Sequence, residues 1–382
     1  EIDEGVRDEV IEQLPREVLA EAVREMDSDD VVDLIEDMDA PEREEILSAL
    51  DESDRAAVEQ SLTYPEYSAG RLMQSEVVTA PEHWTVGETI DFLRREEWLP
   101  DQFYHVILVD PRRHPVGYVT LGRLLASRRV VPLRDITEDS FRTISVMEDE
   151  GDVAYAFNQY HLISAPVVDE HDRLVGVITI DDAMAVLDEE HEEDILHLAG
   201  VGGESSISDG PIDTARQRIP WLVVNLFTAS MSAFVISRFE STIAQLVTLA
   251  AVMPIVASTG GIAGTQSLAV AVRALATRDL TNSNARRVVM RELGAGILNG
   301  LGLSVILGLG ALAVFGQPML GVVLGLAMIV NQIVAAMGGV MVPLGLEKLG
   351  LDPALASGTF VTTLTDVMGY LTFLGLATML ML

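Results

Sequence analysis

"FVTTLTDVMGYLTFLGLATMLML", residues 360–382, is an apolar run carrying one charge, Asp366. About 20 apolar residues at 1.5 Å of helical rise each suffice to cross a bilayer. A carboxylate inside such a segment costs on the order of 3 kcal/mol on insertion scales, and such residues usually face a cavity or a pathway instead of lipid. The nature of what surrounds Asp366, and of what passes it, has to come from the remaining sequence.

Four further apolar stretches lie upstream, at 220–237, 242–274 with interruptions, 293–315 and 320–346, and the last one begins near 355. They are apolar on every side, which excludes amphipathic core helices and leaves five membrane helices. Arg273, Arg278, Arg286, Arg287 and Arg291 all fall between the second and third. That loop is cytoplasmic by the positive-inside rule, so the N-terminal half and Lys348 are expected inside the cell and the C-terminus outside. The second stretch, "VMPIVASTGGIAGTQSLAVAVRALATRDL", holds Pro254, Gly260, Gly261 and Gly264, which are expected to interrupt its helix. Broken backbone at membrane depth lines protein or a water-filled cavity. Close helix packing through small residues is the competing reading of the glycines. An interrupted helix together with Asp366 points to a cation path.

Charge divides the chain in two. Of 25 basic and 59 acidic residues, only 9 and 6 lie from Arg216 onward, leaving 16 and 53 before it, a net of −37. Such a polyanion is not a nucleic-acid binder. Lys348 is the sole lysine, a composition that looks like adaptation to high salt, in which any one acidic cluster can be plain solvated surface. Cysteine is absent, so no disulfide framework or thiolate site exists. The chain opens at Glu1 with neither an initiator methionine nor a secretory signal, and is expected to begin inside a longer protein.

In the acidic half, "VILVDPRRHPVGYVTLGRLL" from Val106 and "APVVDEHDRLVGVITIDDAM" from Ala165 align at a fixed offset of 59, pairing Asp110 with Asp169, Gly117 with Gly176 and Thr120 with Thr179. Each unit reads as strand, tight turn, strand and helix, with a strand and helix upstream. This tandem pattern resembles a pair of cystathionine-β-synthase-type (CBS) domains. The resemblance implies an adenine nucleotide such as ATP between the repeats, its ribose held by the aspartate of a Thr-x-x-Asp turn, here Thr179 and Asp182. The first repeat departs from this, with Arg123 after Thr120. The alternative is that Asp182 only caps its helix. Residues 1–67 read as short stacked helices, an α-solenoid fragment with its start cut off.

The resulting fold class is a multidomain membrane protein: an α-helical repeat fragment (1–67), an α/β CBS-domain pair (68–129 and 130–187), a connecting helix and linker (188–217), and a transmembrane bundle of five α-helices (218–382). With "GRLMQSEVVT", "EEDILHLAGV", "RALATRDL", "GLDPAL" and "TLTDVMG", this order resembles the MgtE family of magnesium channels and transporters over essentially the whole chain. The resemblance implies a homodimer in membrane lipid whose pore is lined by the second and fifth helices, with Asp366 of each protomer facing the ion and Thr265, Gln266 and Thr362 beside it. Asparagines usual in the family are replaced in "TGGIAGTQ" by Ile262 and Thr265, and Gly358 stands where another is expected. Mg²⁺ suits such a site because it keeps several waters and prefers oxygen, and Mn²⁺ or Co²⁺ could use the same oxygens.

A helix through "DEEHEEDILH" (188–197) places Glu190, Glu193 and Asp194 on one face, where they repel. The family resemblance makes them the metal-sensing acids of a plug helix that presses on the pore when cytosolic Mg²⁺ bridges it to the other domains. The competing function is a membrane-anchored nucleotide or ionic-strength sensor that conducts nothing. An enzyme is not expected, since apart from Asp366 the membrane helices offer no acid, base or thiol constellation.

Overall fold

The computed structural model describes residues 14–36, 38–96, 98–100, 102–138, 141–203, 205, 210–281, 283–355 and 357–382. The chain divides into two compact units, Glu1–Glu190 and His191–Leu382.

Among the described residues, the first unit opens with four short helices, α1 (Arg16–Val23), α2 (Ser28–Glu36), α3 (Ala40–Leu47) and α4 (Glu52–Ser61). Asp29 and Asp30 in the first turn of α2, Glu52 and Asp54 in that of α4, and a proline in that of α3 suit helix N-termini. None could bury an apolar face alone; together they enclose Val23, Val31, Ile35, Ile46 and Val58. Arg71, in α5 (Ala69–Leu72), fixes these helices to the repeats by donating to the Tyr64 and Leu62 carbonyls and pairing with Glu36 at 3.0 Å.

The repeats follow as β1 (Thr79–Pro81), α6 (Val86–Arg95), β2 (His105–Val109), β3 (Pro115–Thr120) and α7 (Leu121–Ala126), then β4 (Ile144–Ser145), α8 (Glu150–Tyr160), β5 (Ser164–Val168), β6 (Leu174–Thr179) and α9 (Ile180–Leu198). In each sheet the first strand is parallel to the second and the second antiparallel to the third. The copies match in detail at the 59-residue offset. Register slips at Leu108/Val109 and at Val167/Val168. Asp110 Oδ1 accepts from the amides of Arg112 and His114, as Asp169 Oδ1 does from those of His171 and Arg173. Arg113 (φ 66°) and Asp172 (φ 57°) both sit in left-handed turns. The Leu174 amide donates to the Arg113 carbonyl at 2.9 Å, so the two hairpins meet. On the pseudo-twofold axis His105 Nδ1 is hydrogen-bonded to Ser164 Oγ, residues that are themselves 59 apart. Burial pushes the His105 pKa down to about 4, keeping the imidazole neutral.

Among its described residues the second unit holds five helices long and apolar enough to cross a membrane: α10 (Pro211–Ser237), α12 (Thr248–Ala276), α13 (Ala285–Phe315), α14 (Pro318–Lys348) and α15 (Ser357–Met381), with the short α11 (Glu240–Gln245) between the first two. α14 is central, packing on α12, α13 and α15, while α12 and α10 also pack on α15. α10 and α13 leave Phe227, Phe234, Leu298, Val305 and Ile306 exposed, apolar surface that suits a lipid surround.

One expectation is corrected. The break expected at Pro254 and the glycines does not occur: α12 runs unbroken through all four, and the 242–274 stretch is interrupted earlier, between Gln245 and Thr248. The glycines act as contact notches. A Cβ at Gly264 would lie 2.6 Å from Val361 Cγ1 of α15, and one at Gly260 would overlap the Asn331 amide of α14. Helix association in lipid is driven by such close packing, and the glycines serve it without giving up backbone hydrogen bonds.

Candidate functional site

Pro254, Ala257, Ser258, Gly261, Ile262 and Thr265 of α12 face Thr362, Asp366 and Tyr370 of α15 across a groove of about 450 Å³. The lining follows from helical spacing: 254, 258, 261, 262 and 265 share one face, as do 362, 366 and 370. Gly261 faces Thr362 across the groove, and a Cβ there would make an ordinary contact with Thr362 Cγ2 at 3.6 Å. The hydroxyls of Thr265 and Thr362 donate to the Ile262 and Gly358 carbonyls of their own helices at 2.9 and 2.7 Å, leaving oxygen lone pairs for a ligand. Asp366 is half-buried, and among the described residues no hydrogen bond or ion pair reaches its carboxylate. Gln266 is exposed and does not line the groove. No group of three or more His, Asp or Glu placed to hold a metal ion occurs among the described residues. One carboxylate with hydroxyls and apolar walls suits a cation that keeps its own water shell, not one stripped of it.

Two membrane residues escaped the sequence reading. Asn331 and Gln332, adjacent in α14, are 0% and 1% exposed. Asn331 Nδ2 donates to the Val256 carbonyl of α12 at 2.8 Å, and Gln332 Nε2 reaches that of Thr259 at 3.4 Å. Their only signal was a pair of amides in the apolar "MIVNQIVAAM".

The acids of the polar half sit in two environments. In the first unit, Glu190 lies over Gly151, at the start of α8. Burial and the nearby Glu189, Asp149 and Glu190 push Glu150 up to about 7. Thr179 Oγ1 donates to Asp182 Oδ2, so the Thr-x-x-Asp turn closes on itself. Burial first, then Asp181 and Asp27, raises the Asp182 pKa. Asp29 of α2 is pushed up to about 8 by burial and by Asp182 and Asp30, and its Oδ1 is buried with no hydrogen-bond partner among the described residues. In the second unit, Asp194 is raised to about 6, by burial and then by Asp352. His197 Nδ1 stands 2.7 Å from Asp352 Oδ2, with Glu193 3.5 Å from its Nε2. Glu190, Glu193 and Asp194 are therefore all on α9, as the sequence places them.

A five-helix membrane bundle with a lone carboxylate in its groove, carried on a chain with two CBS-type repeats, defines an integral membrane protein of the cation-transporting class. Residues 253–376 match the MgtE family, described as a divalent cation transporter; 1–67 match the MgtE intracellular N domain; 69–129 and 133–189 match the CBS domain. The chain is 34% identical over 324 residues to the magnesium transporter MgtE of Enterococcus faecalis, covering 85% of this chain and 71% of that one. It is 34% identical over 330 residues to the magnesium transporter MgtE of Thermus thermophilus, covering 85% and 73%. A crystal structure of the cytosolic domain of the Mg²⁺ channel MgtE in complex with ATP is similar at 29% identity and a TM-score of 0.45, covering 48% of this chain and 76% of that one. This chain belongs to the MgtE family, whose named members are transporters and not enzymes.

Proposed function

We propose that this protein carries divalent cations, chiefly Mg²⁺, across the cell membrane along the groove at Asp366, and that its acidic half senses intracellular Mg²⁺ and closes the path. The observation that carries the reading is the Asp366 carboxylate, half-buried in a membrane helix yet unpaired, in a groove walled by the Thr265 and Thr362 hydroxyls. An uncompensated charge at that depth is costly unless a counter-ion visits it. Asp366 attracts the hydrated ion, the Thr265 and Thr362 hydroxyls accept from its waters, and the apolar remainder holds it weakly enough to leave. One acid per chain neutralises half of a divalent charge, which favours a homodimer with Asp366 of both copies on one path. Mn²⁺ and Co²⁺ fit the same oxygens.

Sensing rests on repulsion among acids. Asp29 beside Asp182, Glu150 beside Glu189, and Asp194 beside Asp352 all have pKa values raised by burial and by neighbouring carboxylates. Each pair joins segments far apart in the chain, so a divalent ion that relieves the repulsion also holds those segments together. Glu190, Glu193 and Asp194 extend the same chemistry along α9. The five arginines at the facing ends of α12 and α13 and in the turn that joins them orient the acidic half toward the cytoplasm and the C-terminus outward. An adenine nucleotide would be held by Asp182 once its turn opens to a ribose.

The test is divalent-ion flux into liposomes containing only the purified full chain. Mg²⁺ should enter with wild type, and Asp366→Asn should abolish entry while leaving the protein monodisperse. Normal flux in Asp366→Asn would refute the pore reading, and no flux of any divalent ion with wild type would favour a non-conducting sensor. Glu193→Ala with Asp194→Ala should keep transport open at high Mg²⁺ on the cytoplasmic face.

A further inference from the structure

Asn331 lies near the middle of α14, fully buried where α12, α14 and α15 meet. Its amide fits two notches. A Cβ on Gly260 of α12 would overlap Nδ2, and one on Gly369 of α15 would approach that nitrogen to 3.0 Å. The carboxamide as placed excludes a side chain at 260 and leaves only tight room for one at 369. The Val256 carbonyl at 2.8 Å demands a donor, which fixes the orientation of the amide. With Nδ2 turned toward the two glycines, Oδ1 is left buried with no hydrogen-bond partner among the described residues. An unsatisfied amide oxygen in an apolar bundle costs free energy that a simple packing residue would avoid.

Its position relative to the groove gives that cost a purpose. Groove residues 257, 258, 261, 262 and 265 occupy one side of α12, while Val256 and Gly260, which hold Asn331, occupy the opposite side at 100° per residue. Gly369 follows Asp366 by three residues, on the flank of the same helix. Asn331 therefore grips both walls of the groove from behind and touches neither the cavity nor its contents. Gln332 adds a weaker hold one turn along, at the Thr259 carbonyl.

We propose that Asn331 is a positioning residue for ion passage: by tying α12 to α14 and α15 it sets the spacing between Asp366 and the α12 wall, and so which divalent cation the groove admits. The inference rests on that groove being the ion path. Mg²⁺–oxygen distances of about 2.0–2.1 Å and Ca²⁺–oxygen distances of about 2.3–2.6 Å differ by only a few tenths of an ångström. A wall that discriminates between them has to be fixed on that scale, and an amide held in two glycine notches is stiffer than an aliphatic side chain in a smooth seam.

The experiment is paired Mg²⁺ and Ca²⁺ flux into liposomes from single preparations of the full chain, carrying wild type, Asn331→Leu, Asn331→Ser, Gly260→Ala or Asp366→Asn. The Mg²⁺:Ca²⁺ ratio is independent of how many molecules are active, so partial misfolding does not move it. Asn331→Leu keeps the approximate volume and removes the donor, and should lower the ratio by about three- to tenfold, the range that an interhelical hydrogen bond in lipid supports. Gly260→Ala, which displaces the amide from the other side, should lower it similarly. Should the leucine variant fail to assemble, the serine and alanine variants carry the same test. Ratios within about twofold of wild type in the assembled variants, with Asp366→Asn inactive, overturn the positioning role alone. Normal flux in Asp366→Asn overturns the pore reading and this inference with it.

Discussion

Asp29→Asn is a sensitive probe of how the acidic half holds itself together. The wild-type carboxyl is pushed up from 3.8 to about 8 by burial and by Asp182 and Asp30. A raised acid pKa means that the folded state favours the protonated form. The stabilisation is complete below the unfolded value near 4 and is lost as pH rises through about 8. At about 1.4 kcal/mol per pKa unit, ionisation at pH 7 costs on the order of 4 kcal/mol, and partial solvation of the carboxyl reduces this to about 2 kcal/mol. Asparagine keeps an acceptor for the first turn of α2, adds a donor and carries no charge. Hydrogen exchange of α2 amides in the full chain, corrected for intrinsic rates and measured without divalent ions, reads the local opening. Wild-type opening should increase about tenfold from pH 6 to pH 8, while Asp29→Asn should be flat and more protected at pH 8. Millimolar Mg²⁺ at constant ionic strength should flatten wild type and leave the variant unmoved. Parallel pH profiles for the two proteins would refute the reasoning, because repulsion at Asp29 would then not govern the docking of α2.

Other expectations concern single contacts. Glu150→Gln should raise protection of α8 above pH 7, the value near which Glu150 titrates, and should have little effect at pH 5. Gly264→Ala forces a methyl to 2.6 Å from Val361 Cγ1 and should destabilise the bundle by about 1–3 kcal/mol in a detergent unfolding titration. Asp182→Ala should weaken ATP binding to the full chain by about 1–3 kcal/mol in calorimetry, and the absence of ATP heat with wild type would retire the nucleotide reading.

Length and apolarity disclosed the five membrane helices because the bilayer imposes both on the sequence directly. Their ends were less legible. α10 starts at Pro211 and α13 at Ala285, well before the apolar runs at 220 and 293, because "PIDTARQRI" and "ARRVVMRE" form helix without being hydrophobic. The CBS-type repeats were visible down to their turns, since Asp110 and Asp169 bond the same amides at the same offset. Pro254 and the glycines misled: the same residues that loosen a helix also let two helices touch, and only the partner side chains, Asn331 and Val361, decide between these. Asp366 was conspicuous as a charge in an apolar run. Asn331 and Gln332 were not, for amides carry no charge and their effect depends on which carbonyls they meet. The raised pKa values of Asp29 and Asp194 were equally hidden, because they come first from burial in the folded chain and then from an acid more than 150 residues away in sequence, Asp182 and Asp352 respectively.

The bond between His105 and Ser164 on the pseudo-twofold axis bears on how this chain can have evolved. Two identical ancestral repeats would have met there as like with like. Imidazole against imidazole would crowd the axis, and hydroxyl against hydroxyl would leave it underfilled. The present pair works only as one large and one small partner, so the two copies have become obligate complements at a position that symmetry once made equivalent. Replacing either repeat by a duplicate of the other would put two imidazoles or two hydroxyls at this contact, and the axis would have to be refilled.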